Sequence, residues 1–187
     1  YELSSAKTAA IEQAIDENPI SEPDSKEDIE GIAAVLRSIA ETAEEVASEY
    51  QDSFDNMPEN LQGGSVAQDM EEKAQEIESW KDTLESDAEE IDSMAEDYES
   101  KGNERDELIA RESELEVQVE ELEELLAAPK DRLEDDSGRG ELTGKLAALK
   151  TELEGLPDQI ESLTSELGDM ASEVEGKAID AIGEFSL

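Results

Sequence analysis

The strongest constraint in this chain is a pair of apolar seams that fold onto each other about two glycines. Ile29, Ile32, Leu36, Ile39, Ala43, Val46 and Tyr50 alternate three and four apart, and Ser53 and Met57 keep the phase. That spacing lays one stripe along a helix that can wind against a partner. A second seam runs Met70, Ile77, Leu84, Ile91 and Tyr98 at heptad spacing, with Ala74, Lys81, Ala88 and Ala95 one turn on and Trp80 and Met94 on its flank. Antiparallel pairing sets Met57 opposite Met70, Tyr50 opposite Ile77, Leu36 opposite Ile91 and Ile29 opposite Tyr98. The midpoint of that register is Gly63-Gly64, a turn signal independent of the seams. Lys81 falls opposite Val46, where a long side chain can bury its stem and keep its ammonium wet.

The second half repeats the pattern. Leu108, Leu115, Val119, Leu122, Leu126 and Leu133 form one seam. Leu142, Leu146, Leu149, Leu153, Leu156, Ile160, Leu163, Leu167, Met170 and Val174 form the other. Pairing Leu133 with Leu142, Leu126 with Leu149 and Leu108 with Leu167 centres the turn on Ser137-Gly138. Pro129 and Pro157 predict kinks or breaks in the helices that carry them.

The fold expected is therefore all-α: two tandem antiparallel coiled-coil hairpins with short terminal helices, elongated or loosely packed as a bundle. A short helix spans 1–17, and a linker with two prolines spans 18–26. Hairpin 1 spans 27–99 and hairpin 2 spans 104–174. Ser25 with Asp28, and Ser65 with Gln68, have capping-box spacing. Between the hairpins, Gly102 can end one helix and Asn103 can cap the next, or one helix can run through. The tail 175–187 carries Ala178, Ile179, Ile182 and Phe185 and is apolar enough to dock, with the first helix as the candidate surface.

Composition then restricts function. Asp and Glu number 55 against 14 Lys and Arg, a net charge of −41, and there is no His or Cys. Thiol nucleophiles, disulfides, His-based triads and the common zinc sites are excluded. Charge of this sign opposes direct binding to nucleic acid or anionic lipid. The sequence has no apolar run long enough to span a membrane and no signal-peptide core. It also has no Gly-rich phosphate loop and no D-x-D-x-D-G calcium loop. A two-helix rod offers no pocket of the usual ligand-binding size. No catalytic, cofactor-binding or metal-ligating residue is assigned, and an enzyme is not expected. Trp80 reads first as a packing residue at the seam edge and second as a binding hot spot.

The segment Tyr50-Gln51-Asp52-Ser53-Phe54-Asp55-Asn56-Met57-Pro58-Glu59-Asn60-Leu61-Gln62 resembles one in uncharacterised acidic coiled-coil proteins of tailed bacteriophages and prophages. There, too, a helix ends in such a segment and a second acidic helix follows. The likeness covers about 50–85 and brings no catalytic residues. It implies a phage-type, non-enzymatic origin, with the host cytoplasm as the expected compartment and the virion as the alternative.

The function expected is that of an acidic coiled-coil interaction protein that binds a basic protein surface. Its sharper form is a DNA mimic. On a two-helix rod the charge amounts to about one per 3.4 Å of length, half the line density of duplex DNA. One alternative is a structural or scaffold component of a virion or other assembly, self-associating through its seams. Another is a halophile-adapted helical protein of unrelated role.

Overall fold

The structure, a computed structural model, describes residues 2–127 and 136–185. It is all-α: helices α1 (Glu2–Glu17), α2 (Lys26–Asp55), α3 (Ser65–Ala127) and α4 (Asp136–Gly183), with no strand among the described residues. The chain divides into two compact units. Unit 1 comprises Tyr1–Tyr98 and Met170–Leu187, and unit 2 comprises Glu99–Asp169. The division falls at the join expected between hairpins, yet α3 is continuous there. Gly102 and Asn103 are helical, so the uninterrupted alternative is the one realised.

In unit 1 the first seam is buried as its spacing requires. Ile29, Leu36, Ile39, Ile77, Leu84 and Ile91 are fully enclosed, with Ala74, Ala88 and Ala95 as the small partners that let α2 and α3 approach. Lys26 pairs with Glu96 at 2.9 Å, Arg37 pairs with Asp92, and the Tyr98 hydroxyl donates to the Asp24 carbonyl at 3.3 Å. The start of α2 therefore lies against residues 92–98 of α3, as the antiparallel register demands.

Ser25 caps α2: its hydroxyl oxygen accepts from the Asp28 amide at 3.1 Å, while the Asp28 carboxylate accepts from the Ser25 hydroxyl at 2.7 Å and the Asp24 amide at 3.2 Å. This is the capping box with its return bond displaced by one residue. The second expected box does not form. Ser65 is already the first residue of α3, and the Gly64 carbonyl accepts from the amides of Ala67 and Gln68 at 3.1 and 3.2 Å, so the cap falls on Gly64. α2 stops at Asp55 with Asn56 as its C-cap, because Pro58 disfavours helical backbone at Met57. Met57 thus sits in the connection, beyond the helix whose phase it follows. Gly64 matters there by close approach: a Cβ would lie 3.1 Å from the Leu61 carbonyl oxygen.

Two further segments complete unit 1. α1 runs antiparallel to α2, with Lys7 Nζ donating to the Glu49 carbonyl at 2.6 Å and the Ser53 hydroxyl at 2.9 Å and lying 5.1 Å from the Tyr50 ring centre. The end of α4 supplies Val174, Ala178 and Ala181 to the same core as Ile11 of α1. The tail thus joins a core that includes the first helix, and it also makes contacts with α3. Trp80 Nε1 donates to the Ala181 carbonyl at 2.8 Å, and its ring lies 4.6 Å from that of Phe185.

Unit 2 is the second antiparallel hairpin. Its fully or largely buried residues are Leu115, Leu122, Leu156, Leu163 and Leu167, while Leu126, Leu142, Leu146, Leu149 and Leu153 are half-buried. Two expectations are corrected here. Ser137 and Gly138 stand in the first turn of α4, so the connection precedes Asp136 and the turn is not centred on them. The cross-helix pairs move with it. Lys101 meets Glu166, Arg111 meets Glu152 at 2.9 Å, and the Arg139 guanidinium donates to the Leu126 carbonyl at 2.7 Å. The expected register would set Lys101 near Val174 and Arg111 near Thr164. A slide of about one heptad accommodates these pairs and, because the seam repeats every heptad, still leaves seam on seam; the Lys150–Glu123 pair is within reach of a long side chain in either register. Pro157 lies inside α4 without breaking it. The missing amide frees one carbonyl, which an exposed helix face can satisfy with water. Pro129 and Leu133 lie outside the described residues.

Candidate functional site

Among the described residues, an acidic surface and a cleft are the features that could serve function. Lys7, Lys26, Arg37, Lys81, Lys101, Arg105, Arg111, Lys150 and Lys177 are all engaged by carboxylates of the chain itself. With 55 acids and 14 bases, most carboxylates have no cation of their own. In unit 1 the outer face of α3 carries exposed Glu71, Glu78 and Glu85 at heptad spacing, and Asp82, Glu89 and Glu96 likewise; of these, Asp82 and Glu85 are shared by Lys81 and Glu96 pairs with Lys26. A buried seam at positions 77, 84 and 91 fixes the opposite face, so these carboxylates point away from the core by helix geometry alone. α2 adds exposed Glu41, Glu44, Glu45 and Glu49.

Trp80 proves to be a packing residue, 7% exposed, in agreement with the first of its two readings. Lys81 keeps its stem at the edge of the core and its ammonium 3.1 Å from Asp82 and 4.0 Å from Glu85. The Asp82 hydrogen bond holds its pKa above the ordinary lysine value. The ammonium of Lys177 is likewise raised, by the Glu90 carboxylate 2.5 Å away with Asp87 beside it. In unit 2, hydrogen bonding to Glu152 and then to Glu114 raises Arg111, and Lys101 holds the Glu166 carboxyl below the ordinary glutamate value.

One cleft of about 460 Å³ lies in unit 1, where the linker crosses the start of α2. Pro19, Ile20, Gly31, Ile32 and Val35 form its apolar side and Glu22, Asp24, Glu27 and Asp28 its rim. The hairpin seams predict no such cavity, because it is made by the proline linker rather than by the hairpin. The one signal for it in the sequence is the Pro-Ile-Ser-Glu-Pro stretch over α2. The cleft is open and its ionisable lining is wholly acidic, with no nucleophile held by a base. No grouping of carboxylates suited to a metal ion occurs among the described residues. Sequence reasoning also missed the tail contacts of Lys177, Ala181 and Phe185 on α3, although an unassigned apolar tail and a flanking Trp80 were both visible.

No described helix is long and apolar enough to cross a membrane. Comparisons with protein-family models, curated proteins and solved structures give no match.

Proposed function

We propose that this is a non-enzymatic interaction protein that presents ordered acidic helix faces to a basic protein surface. The observation that carries the reading is the outer face of α3 in unit 1. There Glu71, Glu78, Asp82, Glu85 and Glu89 are exposed on a helix whose other side is locked into a core. Carboxylates fixed in this way require little ordering when a cationic partner arrives, and their summed field steers its approach. Like charges at i,i+3 and i,i+4 weaken a helix, so a face of this kind has a cost that a binding role would offset. DNA mimicry is the narrower form of the reading, in which the partner's basic surface ordinarily holds nucleic acid. The likeness of residues 50–62 to phage-type acidic proteins fits a host protein as target and the host cytoplasm as the place of action.

The test is capture from a bacterial lysate on the immobilised full chain at low salt, followed by elution with rising NaCl. Basic, nucleic-acid-binding proteins should be retained and released by moderate salt, and Glu71→Gln/Glu78→Gln/Glu89→Gln should weaken retention with helicity unchanged. Failure to retain any basic protein at low salt would sink the proposal.

A further inference from the structure

We infer that a second copy of this chain docks on the turn-proximal flank of unit 2, forming a two-fold dimer. The flank differs in charge from the rest of the molecule. Residues 137–151 hold three bases, Arg139, Lys145 and Lys150, against one acid, Glu141, in a chain of net charge −41. The facing stretch of α3, Glu114–Ala127, holds six acids and no base. These opposite halves satisfy each other poorly within one chain. Lys150 reaches Glu123 at 2.5 Å, and Arg139 is turned to the Leu126 carbonyl, its Nη1 buried without a hydrogen-bond partner. Lys145 and Glu121 are exposed and form no ion pair with any described residue.

Apolar surface accompanies the charge. Leu125 is 51% exposed, one turn from Glu121 on α3. Leu142 and Leu149 are half-buried, one turn either side of Lys145 on α4. In unit 1 two further segments cover the hairpin, and in unit 2 none does among the described residues. Two negative molecules meet most readily where opposite charges face each other, and 137–151, with three bases against one acid, complements the six acids of the α3 stretch. An isologous contact laying α4 of one copy along α3 of the other sets Lys145 against the partner's Glu121 and covers Leu125 with the partner's Leu142 and Leu149. The occupant argued is a second copy because one chain carries both complementary halves.

Sedimentation equilibrium of the full chain tests this. A reversible monomer–dimer equilibrium is expected, with a Kd below roughly 100 μM at physiological salt. Lys145→Glu should raise that Kd about tenfold or more, and Leu125→Ser should do the same; both positions are exposed, and circular dichroism confirms that folding is kept. Mixing Lys145→Glu with Glu121→Lys should recover a heterodimer that neither variant matches alone. A monomer at all concentrations up to about 500 μM would overturn the inference. A dimer with unchanged Kd in both single variants would overturn it too. Neither outcome bears on capture of basic proteins by unit 1, which these substitutions leave intact.

Discussion

Trp80 shows how one side chain can join distant parts of the sequence. Its ring is 7% exposed, its Nε1 donates to the Ala181 carbonyl, and it lies against Phe185, a residue 105 positions further along the chain. Trp80→Ala should cost about 3–5 kcal/mol of unit 1 stability, read as a lower melting temperature by circular dichroism. Trp80→Phe keeps most of the apolar area and should lose only the hydrogen bond, about 1 kcal/mol. Equal losses from the two variants would mean that the ring's volume is not what holds the tail. A different residue-scale test uses pH. Lys101 depresses the Glu166 carboxyl, chiefly by hydrogen bonding to it. A depressed carboxyl stabilises the fold above its unfolded pKa, and the contribution fades as pH falls through the folded one. The melting temperature of Glu166→Gln should therefore lie below the parent's at neutral pH, and the gap should close in acid. A gap that persists after the carboxylates are protonated would assign the effect to something other than this charge. Glu166 is partly exposed, so the effect should be small.

At the scale of the element, periodicity made much of the fold legible. The α2 and α3 seams had a single natural register because Gly63-Gly64 marked the turn independently. Hairpin 2 offered an anchor of the same kind at Ser137-Gly138, and it misled, because both residues are helical. A seam of uniform leucines repeats every heptad, so Leu126 opposite Leu149 and Leu122 opposite Leu146 are equally apolar choices, and apolar pattern cannot rank them. The ion pairs of Arg111 and Lys101 distinguish the registers, and they depend on exposed charges that periodicity ignores. The acidic face of α3 was readable from spacing alone. The cleft was not, because it needs the path of the linker over α2. Gly102 tests the continuity of α3 directly. A Cβ there meets nothing within 4 Å, and no glycine among the described residues has positive φ. Gly102→Ala should therefore stabilise by roughly 0.5–1 kcal/mol, measured by urea unfolding. Destabilisation would point to a break at this position. Hydrogen exchange should also separate the units. The fully enclosed Ile29, Leu36, Ile77 and Leu84 predict slow exchange in unit 1, and the half-buried Leu142, Leu146 and Leu149 predict faster exchange in unit 2.

For the whole molecule, the question is whether packing or repulsion governs stability at low salt. The net charge of −41 acts against every compact state, through a field that reaches about 30 Å at 0.01 M salt and about 3 Å at 1 M. Against it stand the enclosed isoleucines and leucines of unit 1, each contributing about 1.5–3 kcal/mol on burial. Those contributions do not depend on screening, so the chain should be strongly helical already at 10 mM salt. Added NaCl should then raise the melting temperature, each kcal/mol of relieved repulsion giving about 2–4 °C in a chain of this length. Lowering pH toward the isoelectric point of about 4.1 should act in the same direction, because protonating crowded carboxylates removes the same repulsion. The Lys101–Glu166 pair opposes that trend locally, but one partly exposed pair is small beside so large a net charge. Circular dichroism melts at 10 mM, 150 mM and 1 M NaCl decide the matter. A helical chain at 10 mM with a rising midpoint means that the acidic surface is carried by a core able to tolerate it, and so is available for a partner. A chain unfolded at 10 mM and helical only in molar salt would instead make the acidity an adaptation to brine and remove the reason for assigning the α3 face a binding role.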